Sequence, residues 1–145
     1  PNNAPLIETD PAYASYRNWL SSDYLLNALD IDPALTQKRL GDGYYEQNLV
    51  LDQVAQLTGR RFLDGYTDDQ AQYQALMDNG KTVAQAWQLR PGITLSREQI
   101  AQLTSDIIWL VEQDIRLADG SNRRVLVPQL YVRVREGDLQ QRHPH

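Results

Sequence analysis

Between Glu8 and Asp106 apolar residues recur at intervals of three and four, punctuated by capping signals at helix-length spacing and without β-branched runs. Asp10-Pro11 and Asp32-Pro33 each pair a side-chain acceptor with a proline whose missing N–H costs nothing in a first helical turn, so each predicts a helix start. The first helix would carry Tyr13, Tyr16 and Leu20 on one stripe with Trp19 beside it, and a restart at Ser22 would bury Leu25, Leu26 and Leu29. Leu40-Gly41-Asp42-Gly43 breaks the pattern. A longer helix then runs from Tyr44 to Thr58, with Val50, Val54 and Leu57 inward and Gly59 as its stop. Thr67 and Gln70 have the spacing of a capping box ahead of a helix that buries Tyr73, Leu76 and Met77, and Asn79-Gly80 predicts a left-handed turn after it. Val83, Ala84 and Trp87 form a short apolar face ended by Arg90-Pro91-Gly92, and a second capping box, Ser96 with Gln99, launches a helix bearing Ile100 and Leu103.

Beyond Asp106 the period changes. Ile107 to Val111 is continuously apolar, the chain then alternates through Ile115 and Leu117, and Asp119-Gly120-Ser121 marks a turn before a second β-rich run from Val125 to Val134. The pattern predicts a β-hairpin in which Pro128, unable to donate to a ladder, lies at a sheet edge or a bulge. The fold class is α+β, several short helices followed by a C-terminal β-hairpin. Residues 8–134 read as a single domain, helical over 8–106 and hairpin over 107–134, with 1–7 a linker and 135–145 a linker or tail.

The 145 residues are 41% hydrophobic and 23% charged, enough for a core and unlike a disordered chain. Cysteine is absent and the two histidines, His143 and His145, lie in the tail, which argues against thiol nucleophiles, zinc–thiolate sites and Ser-His-Asp catalysis. A net charge of −5 argues against a phosphate-binding surface, with Arg60-Arg61 and Arg123-Arg124 read as solvated loop charges. No apolar run reaches the roughly 20 residues of a bilayer span, and Pro1 to Pro5 lacks the features of a signal peptide, so the sequence carries no address of its own.

Asp64, Asp68 and Asp69 around Gly65 lack the spacing of a calcium loop and suit helix capping better. Asp42 and Glu46, four residues apart, are the pair a carboxylate-dependent hydrolase would use, against a plainer reading as a solvated helix start. Gly41-Asp42-Gly43 is a turn, since no Lys-Ser/Thr follows it as a phosphate loop requires. Most of the tyrosines suit core packing with the hydroxyl at the rim. Trp19, Tyr24, Tyr44 and Tyr45 form a possible binding patch, and no catalytic, cofactor or metal residue is assigned.

Several phrases in order, Leu6-Ile7-Glu8-Thr9-Asp10-Pro11, Trp19-Leu20-Ser21-Ser22-Asp23-Tyr24, Lys38 to Gln47, Leu57-Thr58-Gly59-Arg60, Leu103 to Val111 and Val127 to Val132, together point to one family. They resemble a non-repeat region of filamentous haemagglutinin-like exoproteins of Gram-negative bacteria, exported by two-partner secretion and including contact-dependent growth-inhibition toxins. The resemblance runs from Leu6 to Val134 and implies a segment preceding the second haemagglutinin repeat block, upstream of the toxin, in an adhesin or toxin-delivery filament secreted or held at the cell surface. The expected role is then that of a non-catalytic, organisational module that joins or caps β-helical blocks, its hairpin edge templating the next coil, and assists export. The expected partners are the adjoining β-helical repeats, the outer-membrane transporter and a target-cell receptor or glycan, with no enzyme activity, no cofactor and no nucleic acid. A Cys-free chain suits export through a narrow pore.

Overall fold

The computed structural model describes residues 19–134. The expected helix at Asp10-Pro11 with Tyr13 and Tyr16, and the terminal segments 1–7 and 135–145, lie outside the described residues.

Among the described residues four helices precede a two-stranded hairpin, the α+β arrangement the pattern predicts. Helix α1 (Asp23–Ala28) buries Leu25 and Leu26 completely, but its N-cap Ser22 makes no capping bond because its hydroxyl is turned to Glu46. At Asp32-Pro33 the expected helix stops after a single 3-10 turn, Pro33–Leu35, with Asp32 accepting from the Ala34 amide. The chain straightens there because Lys38 to Leu40 must reach the sheet, where the Leu40 N–H donates to the Leu126 carbonyl and the Leu126 N–H to that of Lys38.

Helix α2 (Gly43–Thr58) starts on the Asp42 carboxylate and stops at Gly59, as read. Val50 and Val54 are buried, whereas Leu57 is 60% exposed. Leu57 shares the face of Val50, seven residues on, but lies in the last turn of α2, beyond Val54 where the buried stripe ends.

Helix α3 (Asp69–Trp87) corrects two expectations. Its N-cap is Asp68, accepting from the Ala71 amide, so Thr67 and Gln70 make no capping box. Asn79-Gly80 does not turn either; the helix runs on for 19 residues. Glycine is there for closeness of approach, since a Cβ on Gly80 would stand 2.1 Å from the Ile108 carbonyl oxygen. Tyr73, Leu76 and Met77 are buried as predicted, and the Ser96–Gln99 capping box opens α4 (Arg97–Ala101).

Strands β1 (Ile107–Arg116) and β2 (Asn122–Tyr131) pair antiparallel, with Leu110 opposite Pro128 and Asp114 opposite Arg124. Ile107 to Val111 are buried in succession, so both faces of this stretch are covered. Arg123 and Arg124 belong to β2 rather than to a loop, and Arg124 lies 3.1 Å from Asp114 and 3.4 Å from Glu112 across the ladder.

Pro128 does sit at an edge, but the edge is closed. Its carbonyl accepts from the Gln53 side-chain amide at 2.9 Å, and the Leu130 N–H donates to the other end of that amide at 2.8 Å, so one glutamine from α2 stands in for a strand. On the outer edge of β1 the Gly92 N–H donates to Leu110 and the Gly92 carbonyl accepts from Glu112. The expectation that this hairpin edge is open to template another coil is therefore corrected from Leu126 to Leu130, where its hydrogen-bonding groups are already satisfied.

Gly80→Ala forces a methyl into a strand backbone that cannot yield, and is expected to cost about 3 kcal/mol in urea unfolding. Gln53→Leu keeps the bulk but strips two partners from β2, and the same measurement should register a loss of about 2 kcal/mol.

Candidate functional site

A cleft of about 660 Å3 opens between two walls. Trp19, Ser21, Ser22 and Asp23 form one; Lys38, Arg39 and the turn Gly41–Gly43 leading into Tyr44 and Glu46 form the other. Their closeness has a backbone origin, because a Cβ on Gly43 would lie 2.6 Å from the Leu20 carbonyl oxygen and 2.7 Å from that of Trp19. Only a glycine lets α2 begin against that segment.

At the base of the cleft Glu46 is 1% exposed. The Ser22 N–H donates to its Oε1 at 2.8 Å, the Ser22 hydroxyl to its Oε2 at 2.5 Å, and the Tyr73 hydroxyl reaches Oε1 at 3.4 Å. Burial pushes the carboxyl above the usual range against the lowering pull of the two Ser22 hydrogen bonds, while the nearby Asp23 charge adds to the rise. Burial, and after it the Glu46 charge, push the Tyr73 phenol well above 10.0.

Arg39 is already engaged. It pairs with Asp23 at 3.1 Å and donates to the Gln37 and Pro33 carbonyls at 2.6 and 3.2 Å. Cation and carboxylate thus tie the walls together rather than standing free for a ligand.

The Asp42 and Glu46 pair shares this cleft, but the two carboxylates do different work: Asp42 caps α2 through the Tyr45 N–H at 2.9 Å, and Glu46 is enclosed. That division removes the solvated helix start as an account of Glu46. Of the four aromatics read as a patch, Trp19 and Tyr44 meet edge to face at 5.0 Å between ring centres, and Tyr44 and Tyr45 are about half exposed. Tyr24 is elsewhere, its hydroxyl donating to Asp78 on α3 at 2.6 Å, which holds its phenol above the usual value. The aspartates around Gly65 separate as well: Asp68 caps α3, Asp64 pairs with Arg60 at 2.9 Å, and Asp69 pairs with Arg61. Among the described residues no group of three or more His, Cys, Asp and Glu is placed to hold a metal ion, and no helix is long and apolar enough to cross a membrane.

Glu46 and Ser22 were not singled out together by motif, yet the signal was present. Counting back one turn from Val54 and Val50 along the buried stripe lands on Glu46, a carboxylate on an apolar face, where burial demands partners. Ser22→Ala removes the hydroxyl donor and leaves the carboxylate enclosed. We expect a loss of about 2 kcal/mol at neutral pH, shrinking in acid, with the Glu46 carboxyl moved further upward in a carbon-13 titration.

No family model matches the chain, and no solved structure matches it. Curated proteins do. The chain is 45% identical over 136 residues to a tRNA nuclease CdiA-2 of Burkholderia pseudomallei, 44% over 135 residues to a toxin CdiA of Yersinia pestis, and 30% over 132 residues to a deoxyribonuclease CdiA of Dickeya dadantii. Each match covers 91 or 92% of this chain, which spans 4% of the relative's length. These names correct the reading as a non-catalytic organisational or receptor-binding module with no enzyme activity and no nucleic-acid partner, because relatives this similar are named nucleases. The charge of −5 describes 145 residues that span 4% of the relatives' length, so it says little about what those whole proteins act on. The chain is a homologue of one segment of the CdiA toxins of contact-dependent growth inhibition.

Proposed function

We propose that this chain is a segment of a contact-dependent growth-inhibition toxin which, as a whole protein, acts on nucleic acid. The similarity to proteins named tRNA nuclease, at 45% identity over 136 residues, carries the reading. Relatives named for tRNA and one named for DNA share this same stretch, so the choice between the two substrates falls to residues outside what they have in common.

Within that protein the segment, one domain over 8–134, lies in a non-repeat region before the second haemagglutinin repeat block, in an adhesin-like filament of a Gram-negative cell surface reached by two-partner secretion. The ordered phrases from Leu6 to Val132 and the absence of cysteine support this placement. Trp19 and Tyr44 are the part of the aromatic patch suited to ligand contact, since both line the cleft and flat side chains accept bases without reading sequence.

The test follows target cells mixed with cells producing the full-length protein. Total RNA and chromosomal DNA are resolved on gels as growth stops. Loss of intact tRNA or of high-molecular-weight DNA is the expected result; inhibited cells with both nucleic acids intact overturn the proposal.

A further inference from the structure

Among the ties that join the walls of the cleft are three between described residues: Asp23 with Arg39, the Trp19–Tyr44 ring contact, and the paired bonds from Ser22 to Glu46. The first two reach solvent. The third is enclosed and involves an acid, so a single proton changes its character.

The groups facing Glu46 come from every element around it. Ser22 and Asp23 stand at the start of α1, Lys38 and Arg39 on the segment paired to β2, Asp42 ahead of α2, and Tyr73 on α3. Arg39 is spent on Asp23 and two carbonyls, which leaves, among the described residues, three hydrogen-bond donors and no ion pair on the Glu46 carboxylate.

We propose that the Glu46 carboxyl is a proton-operated latch that holds the Trp19–Asp23 wall against α2 more firmly when it is neutral than when it is charged. The hydrogen bonds permit it. A proton on Oε2 lets the carboxyl donate to the Ser22 oxygen, while Oε1 goes on accepting from the Ser22 N–H, so both contacts survive and the enclosed charge disappears. The direction of the linkage follows from burial raising the folded-state value: the stabilisation is complete below the unfolded value, 4.5, and is lost as pH rises through the folded one. The wall is firm below the unfolded value and loosens as pH rises through the folded one, which governs access to the cleft whatever it binds.

Nitrogen-15 NMR of the 145-residue chain tests this through the Ser22 amide and the Trp19 indole. After correction for intrinsic exchange, protection of the Ser22 amide should fall as pH rises through the folded carboxyl value, by about tenfold for each pH unit separating the folded and unfolded values, with the Trp19 indole shifting at the same midpoint. In Glu46→Gln the fall should vanish while protection elsewhere keeps its pH dependence. Should that variant not fold, Tyr73→Phe removes one donor from the carboxylate and must move the midpoint upward. Ser22 protection that ignores pH in the wild type, or falls identically in Glu46→Gln, overturns the proposal, as does a midpoint unmoved in Tyr73→Phe.

Discussion

Two antiparallel strands do not hold together alone in water, and the rest of the described chain is arranged around what this hairpin lacks. Ile107 to Val111 need cover on both faces, which α3 supplies on one side at the closest distance a helix allows, with Gly80 against the Ile108 carbonyl. The two edges need hydrogen-bond partners, and three short pieces provide them: Gly92 for β1, Lys38 to Leu40 for one part of β2, and the Gln53 side chain for the next. None of the three is a regular strand. Each is placed where a strand's polar groups would otherwise face apolar side chains or open solvent.

This demand reaches the cleft directly. Because Lys38 to Leu40 are pinned to Leu126, the wall carrying Lys38 and Arg39 is fixed to the sheet, and the turn that follows can deliver only Asp42 and Gly43 to the start of α2. One turn later the stripe of α2 that packs inward presents Glu46, so a position dictated by helix geometry becomes the point where the opposite wall is held. The buried carboxylate is tolerable because Ser22 offers both its N–H and its hydroxyl, which also explains why Ser22 opens α1 without capping it.

Periodicity revealed the change from helix to hairpin at Asp106 and the burial of Tyr73, Leu76 and Met77, while residue chemistry revealed the edge position of Pro128 and the Ser96 capping box. Local signals failed where a distant contact outweighed them. Asn79-Gly80 has the chemistry of a turn but is helical because a strand backbone lies against it, and Asp32-Pro33 starts a helix that the pull toward β2 cuts to one turn. The aromatic patch was half legible: Trp19 and Tyr44 come together, while Tyr24 is drawn to Asp78, 54 residues away. Gln53 left no trace in the sequence, since a glutamine on a helix is usually solvated and only the missing strand gives it an edge to bind.

The cleft contains Lys38 and Arg39 against Asp23, Asp42 and Glu46, so an approaching phosphate meets more negative than positive charge. Of the three carboxylates, Asp42 is committed to the Tyr45 amide of α2 and Asp23 to Arg39. Glu46 is the one that burial pushes toward its neutral form, and its protonation removes a negative charge from the floor of the cleft without giving up either bond to Ser22. The same proton therefore does two things at once. It firms the wall that carries Trp19 and lowers the electrostatic opposition to an anion beside it, so wall rigidity and anion tolerance in this cleft rise and fall together.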